Sequence, residues 1–164
     1  MSTNLGKQAI MSAKSSPSPL PAHLGYWLRM VSNAVSQSFA RRLEAEGVTV
    51  AEWVFLRVLH DMERCTPSLL AERMGMTKGA VSKLAERLDR KVLIVRRAHP
   101  DDRRSQLLAL TSTGRALVPK LAGFADQNDA SFFFNILTAA ERKQLQSLLH
   151  KIVSKHHLTT LPID

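Results

Sequence analysis

At 164 residues, 45% of them hydrophobic, the chain has room for one ordinary domain with a real core, which excludes wholesale disorder. Twenty-three Lys and Arg against 14 Asp and Glu leave a formal charge of +9, which favours a polyanionic partner, nucleic acid ahead of an anionic membrane. No apolar run approaches the roughly 18 residues that cross a bilayer. The N-terminus lacks an apolar segment followed by a small-residue cleavage site, and Cys65, the only cysteine, forbids an intrachain disulfide. A cytoplasmic chain is therefore expected.

Residues 1–21 read as a flexible tail, because Ser12, Ser15, Ser16 and Ser18 alternate with Pro17, Pro19 and Pro21 and apolar residues are sparse. From Ala22 to Glu46, Leu24, Trp27, Leu28, Val31, Val35, Phe39 and Leu43 recur at helical spacing, with Gly47 as the stop. A second helix opens at Thr49 with a capping box, Thr49-Val-Ala-Glu52, and runs through Met62. It is apolar nearly all round, so it belongs in the middle of the fold.

Thr66-Pro67 opens a short helix, Ser68 to Met74, which Gly75 ends. Thr77 caps the next, to about Lys91, and the pair has the spacing of a helix-turn-helix. Val92–Val95 and Gln106–Leu110 are β-prone and flank a polar stretch, predicting a hairpin with Arg97, His99, Pro100, Asp101, Asp102, Arg103 and Arg104 at its tip. Thr111 caps a long helix in which Pro119 predicts a bend or a broken turn. A second capping box, Thr138-Ala-Ala-Glu141, opens the last helix, with Leu145, Leu148, Leu149, Ile152 and Val153 on one face.

The charge is concentrated. Between Thr77 and Arg104, nine basic residues stand against four acidic ones, a net of +5 of the whole +9. On the helix from Thr77, Val81, Leu84, Ala85 and Leu88 form the buried stripe, leaving Lys78, Gly79, Ser82, Lys83 and Arg87 on the exposed front. Small and basic residues in the first turns allow a helix N-terminus to enter a major groove. Hydroxyls and amides hold phosphates there, and Lys and Arg reach phosphates or guanine edges. Arginines at a hairpin tip suit a narrow minor groove, with Asp102 orienting a neighbouring guanidinium.

The segments PSLLAERMGMTKGAVSKLAERLDRK (67–91) and HPDDRRSQLLALTSTGR (99–115) resemble the MarR family of winged helix-turn-helix transcription regulators. The second carries the family's Asp-Arg-Arg followed by Leu-Thr-x-x-Gly. The resemblance spans roughly residues 22–156. It implies a mainly α fold with a small β-hairpin: a winged helix-turn-helix DNA-binding lobe at 49–111, dimerisation helices at 22–48 and 112–157, and a C-terminal tail at 158–164. Thr77, Lys78, Gly79, Ser82, Lys83 and Arg87 fall on the family's recognition helix, Arg103 and Arg104 on its wing, and Asp102 on its orienting acid. Val92 stands where the family commonly has Gly at the helix end.

The implied function is a homodimeric, sequence-specific double-stranded DNA-binding repressor acting on a pseudo-palindromic operator and released by a small aromatic or anionic effector. Tyr26, Trp27, Arg29, Met30, Trp53 and His60 are the candidate effector residues, although Trp27 and Trp53 read first as ordinary core packing. A non-specific architectural DNA binder and a protein-interaction module with a basic face remain the alternative functions. Cys65 lies away from the first helix, where the family's peroxide sensors carry their thiol, and it has no resolving partner. His150, His156 and His157 lack the company of a metal site, and no nucleophile elbow, zinc-protease motif or phosphate loop is present. No enzyme activity, cofactor or metal is expected.

Overall fold

The computed structural model describes residues 17–98 and 106–158. Its elements are a 3-10 turn at Leu20–Ala22, then α1 (Leu24–Glu44), α2 (Val50–Met62), β1 (Arg64–Cys65), α3 (Pro67–Met74), α4 (Lys78–Arg90), β2 (Ile94–Ala98), β3 (Gln106–Leu110), α5 (Ser112–Asp129) and α6 (Ala139–Lys155). A π-helical turn, Ala130–Phe134, follows α5. No helix among the described residues is long and apolar enough to cross a membrane.

The chain divides into two compact units, one up to Asn33 and one from Ala34 onward. In the first, proline-rich sequence sets a 3-10 turn before α1, so the helix starts at Leu24 and not at the expected Ala22. Trp27 donates its Nε1–H to the Pro21 carbonyl at 2.8 Å and meets the Tyr26 ring edge-on at 5.2 Å. Trp27 is half exposed, so it is not a core residue of this chain.

The second unit holds the core. Phe55, Leu56 and Leu59 of α2 are fully buried among Leu70 and Met74 of α3, Val81, Leu84 and Leu88 of α4, Ile94 and Leu108 of the sheet, and Leu121 of α5. α2 touches α3, α4, α5, β1 and β3, the central place that its all-round apolar surface predicts. Thr49, Thr66, Thr77, Thr111 and Thr138 each accept a backbone N–H at a helix start, and both capping boxes are formed.

The sheet is antiparallel in the order β1-β3-β2, with Arg97 opposite Leu107 and Cys65 opposite Leu108. β1 was not foreseen. Two residues carry no period-2 signal, and their pairing with β3 is more than forty residues distant in sequence. The broken turn expected at Pro119 does not occur, and α5 runs unbroken from Ser112 to Asp129. Buried Val118 and Leu121 hold that stretch on the core, and the irregularity falls later, in the π-helical turn.

The joint between α4 and β2 is the tightest part of the fold. Val92, expected to begin the strand, instead takes a left-handed conformation with φ 57° and is itself exposed, while Leu93 and Ile94 after it are buried. Its N–H reaches Asp89 O at 2.9 Å and the Leu93 N–H reaches Leu88 O at 3.0 Å, the double bond pattern of a Schellman C-cap. Thr111 locks the same turn, its hydroxyl donating to Val92 O at 2.8 Å and its amide to Leu93 O at 3.1 Å. Gly114 packs so closely on Leu93 that an added Cβ would overlap the Leu93 carbonyl.

Two opposite outcomes follow at this joint. A β-branched residue at positive φ costs about 1–2 kcal/mol, so Val92→Gly should raise the unfolding free energy by about 1 kcal/mol. Gly114→Ala should lower it by about 2–3 kcal/mol, because the obstacle is backbone and cannot rotate away. Urea unfolding of both variants checks the pair; loss of stability in Val92→Gly would contradict the reading of the turn.

Candidate nucleic-acid interface

α4 owes its orientation to its own sequence. Val81, Leu84, Ala85 and Leu88 are buried, and this stripe fixes which face remains outside. Thr77 is the N-cap, with its Oγ1 accepting the Ala80 amide at 3.2 Å. Lys78, Gly79, Ser82, Lys83 and Arg87 are all exposed on the outward side. Nothing lies within 4 Å of a Cβ built on Gly79, so packing does not demand glycine there. An open, small-residue first turn with lysines at its margins is a surface that a duplex can approach closely.

Beside this helix, β2 carries Arg96 and Arg97, both exposed. Arg96 Nε lies 3.5 Å from Asp89 Oδ2 of α4, tying the strand to the helix. Asp102, Arg103 and Arg104 lie outside the described residues, as does the rest of the expected hairpin tip from His99 to Ser105.

A residue read from the sequence only as a helix cap turns out to organise the interface. Glu52, 1% exposed, receives Lys91 Nζ at 2.9 and 2.7 Å on its two oxygens and the Thr49 amide at 2.9 Å. Arg87 Nε stands 3.5 Å away, and Lys91 Nζ also donates to Gly47 O at 2.7 Å. Burial pushes the Glu52 carboxyl up. The Lys91 hydrogen bond, the Thr49 amide and the charges of Lys91 and Arg87 outweigh it, holding the group below the ordinary carboxylate value. The start of α2 is thereby bonded to the end of α4, and Arg87 is held on one side by a buried anion. The capping box signalled Glu52, but its partner at position 91 is beyond any local pattern.

The candidate effector residues are distributed over both units. Tyr26, Trp27, Arg29 and Met30 lie in the first, with Trp27 and Met30 each half exposed. Trp53 and His60 lie on α2 in the second. Trp53 meets Phe39 edge-on at 6.4 Å and lines a cavity of about 480 Å³ between the second half of α1, α2 and the end of α5. His60 does not line it; its Nδ1 stands 3.8 Å from Asp61 Oδ1. Asn128, which the sequence reading passed over, does line it.

Cys65 is 3% exposed, and burial pushes its thiol pKa up, the opposite of what a peroxide-sensing thiolate needs. His150 and His156 are exposed at the end of α6, and the described residues contain no group of three or more His, Cys, Asp or Glu arranged for a metal.

Glu52 gives a test. A carboxyl with a depressed folded pKa contributes stability above its unfolded value, near 4.5, and that stability is lost as pH falls through the folded value. Glu52→Gln should lower stability at pH 7 by about 2 kcal/mol and flatten the acid limb of the stability profile below pH 4.5. Unfolding curves from pH 3 to 7 measure both; an unaltered acid limb would contradict the assignment.

Comparison with known proteins agrees with this geometry. The profile of the MarR family matches residues 46–105. A protein of Thauera aromatica named for transcriptional regulation of the hcr operon is 31% identical over 134 residues, 81% of this chain and 80% of that protein. A mutant MarR of E. coli complexed with operator DNA superposes with TM-score 0.69 at 26% identity, covering 79% of this chain and 93% of the other. BpsR of Bordetella bronchiseptica, in a structure addressing regulation of its DNA binding by 6-hydroxynicotinic acid, superposes with TM-score 0.70 at 30% identity, covering 84% and 97%. With its winged helix built around a basic α4, and with relatives matching over nearly their whole length, the chain belongs to the MarR family of transcriptional regulators, which are not enzymes.

Proposed function

We propose that the protein is a sequence-specific double-stranded DNA-binding repressor that works as a homodimer in the cytoplasm and is released from a pseudo-palindromic operator by a small-molecule effector. The observation that carries this reading is the exposed face of α4, where Thr77, Lys78, Gly79, Ser82, Lys83 and Arg87 stand together on a helix capped at its start by Thr77 and tied at its end to Glu52 through Lys91. In this reading the first turns of α4 enter the major groove. Arg97, with Arg103 and Arg104 by resemblance, clamps the flanking minor groove, and Asp102 orients one of those arginines.

Residues 49–111 form the DNA-binding lobe, and 22–48 with 112–157 supply the dimer. Apolar side chains left exposed on both helices support the second assignment: Leu24, Leu28 and Val31 on α1, and Leu148, Ile152 and Val153 on α6. A two-fold dimer sets its α4 helices about 34 Å apart, one turn of the duplex, and bound across a promoter it blocks transcription by occlusion. The effector site in this reading is the cavity lined by Trp53, since α2 also carries Glu52 and so reaches the end of α4. A ligand that shifts α2 alters the spacing of the two reading helices, and fixed half-sites then fit less well.

Affinity measured on a duplex from the gene's own promoter region as a function of salt tests the electrostatic half of this proposal. A dimer neutralising about 8 phosphates predicts a slope of about −7 in log affinity against log salt. Lys83→Ala should reduce that slope by about 1 for each subunit and weaken binding. A slope near zero, or equal retention by random duplex, would overturn the reading.

A further inference from the structure

Glu52 is bonded to more than its burial requires. Lys91 Nζ meets both carboxylate oxygens, at 2.9 and 2.7 Å, and the Thr49 amide reaches Oε2 at 2.9 Å. That set already matches the charge and ties α2 to α4. Arg87 is therefore not needed to hold the helix, yet its Nε stands 3.5 Å from Glu52 Oε1. Burial raises the Glu52 carboxyl; among the influences that lower it, the Lys91 hydrogen bond comes first and the Arg87 charge last. The pairing matters more to the arginine than to the carboxylate.

The Arg87 side chain is 48% exposed and that of Glu52 1%, so a long, flexible cation is tethered to an anion fixed in place. The pairing runs through Nε, and the Nη groups remain as donors. Its neighbours on α4 are not held in this way. Arg90 pairs with Glu86 at 3.4 Å, but both side chains are largely exposed, and such a pair restrains little. Lys83 forms no ion pair among the described residues. Arg87 also lies on the flank of α4, where it lines a groove with Ala80, Lys83 and Ala51 at the start of α2. A helix seated in a major groove turns its flanks toward the phosphate walls.

We propose that Glu52 is a positioning residue for DNA binding: it aims Arg87 at a backbone phosphate, which the guanidinium then holds through its Nη hydrogens. An arginine set in place before the duplex arrives loses less freedom on binding than an untethered one. A charge-assisted bond to a carboxylate is strong and directional enough to set it. Lys91 offsets the negative charge of Glu52, so the tether leaves the positive charge of Arg87 available to the phosphate. Charge alone predicts the opposite effect, since an anion near the duplex repels it and its removal would tighten binding. The proposal rests on the reading of α4 as the DNA-facing helix, and its test separates the two.

Affinity of the full-length protein for a duplex from the gene's own promoter region, at fixed salt and pH 7, tests the assignment in a double-mutant cycle. Glu52→Gln keeps the side chain's size and its capping oxygen but loses the charge, and it should weaken binding about fivefold for each subunit. Arg87→Ala should weaken it about tenfold for each subunit. In the Arg87→Ala background, Glu52→Gln should cause no further loss. A variant that merely loosened the fold would lose affinity in both backgrounds, so this pattern marks action through Arg87. Arg87→Lys, at a half-exposed position, should bind about as weakly as Glu52→Gln, because an ammonium keeps the charge but not the fork. Tighter binding by Glu52→Gln, equal losses in both backgrounds, or full affinity in Arg87→Ala would overturn the proposal while leaving DNA binding by α4 in place. A wild-type protein that ignores the duplex would defeat the reading of α4 and the proposal with it.

Discussion

The Glu52 carboxylate is buried with Lys91 bonded to both its oxygens and Arg87 beside it, and the placement of the basic helix α4 depends on that cluster. A buried anion is tolerated only when it is paired and hydrogen-bonded, so the start of α2 and the end of α4 cannot separate without losing the bonds that offset its burial. The next residues complete the fixture. Val92 is forced left-handed, Thr111 bonds to it and to Leu93, and Gly114 leaves just enough room for the Leu93 carbonyl. Helix, strand and the following helix thus meet at one joint, which settles how β2 and its arginines sit beside α4.

Most of this architecture was open to a reader of the sequence, for a physical reason. The caps at Thr49, Thr66, Thr77, Thr111 and Thr138 are local chemistry, each requiring a side-chain oxygen near an amide three residues away. The buried stripe of α4 is likewise a matter of spacing, and it leaves Lys78, Ser82 and Lys83 outside without further assumption. What escaped was long-range. β1 exists only because Arg64 and Cys65 find Ala109 and Leu108, and Glu52 looks like an ordinary cap until Lys91 is placed on it. Val92 shows the same limit. A β-branched residue reads as the beginning of a strand, while the fold needs a left-handed turn there and holds the unsuitable residue in it. Asn128 gave no signal, since its burial and its bond to Val35 O arise only where α5 meets α1.

The two chemistries of the molecule are kept apart in sequence and joined through one helix. The positive excess gathers on α4 and the strand that follows, whereas the cavity between α1, α2 and α5 is lined by Arg57, Asp61 and Asp129, a net negative charge. α2 contributes to both, with Glu52 fastened to α4 and Trp53, Arg57 and Asp61 facing the cavity. Phe55, Leu56 and Leu59 hold α2 on the core, and the joint at its start ties it to α4.

Selection of bound fragments from sheared genomic DNA by the full-length protein tests the central claim, that a pair of basic α4 helices reads adjacent turns of a duplex. The account predicts that the recovered fragments share an inverted repeat whose half-sites are about 10 base pairs apart, centre to centre. Fragments with no common sequence, or with a single unrepeated site, would contradict it.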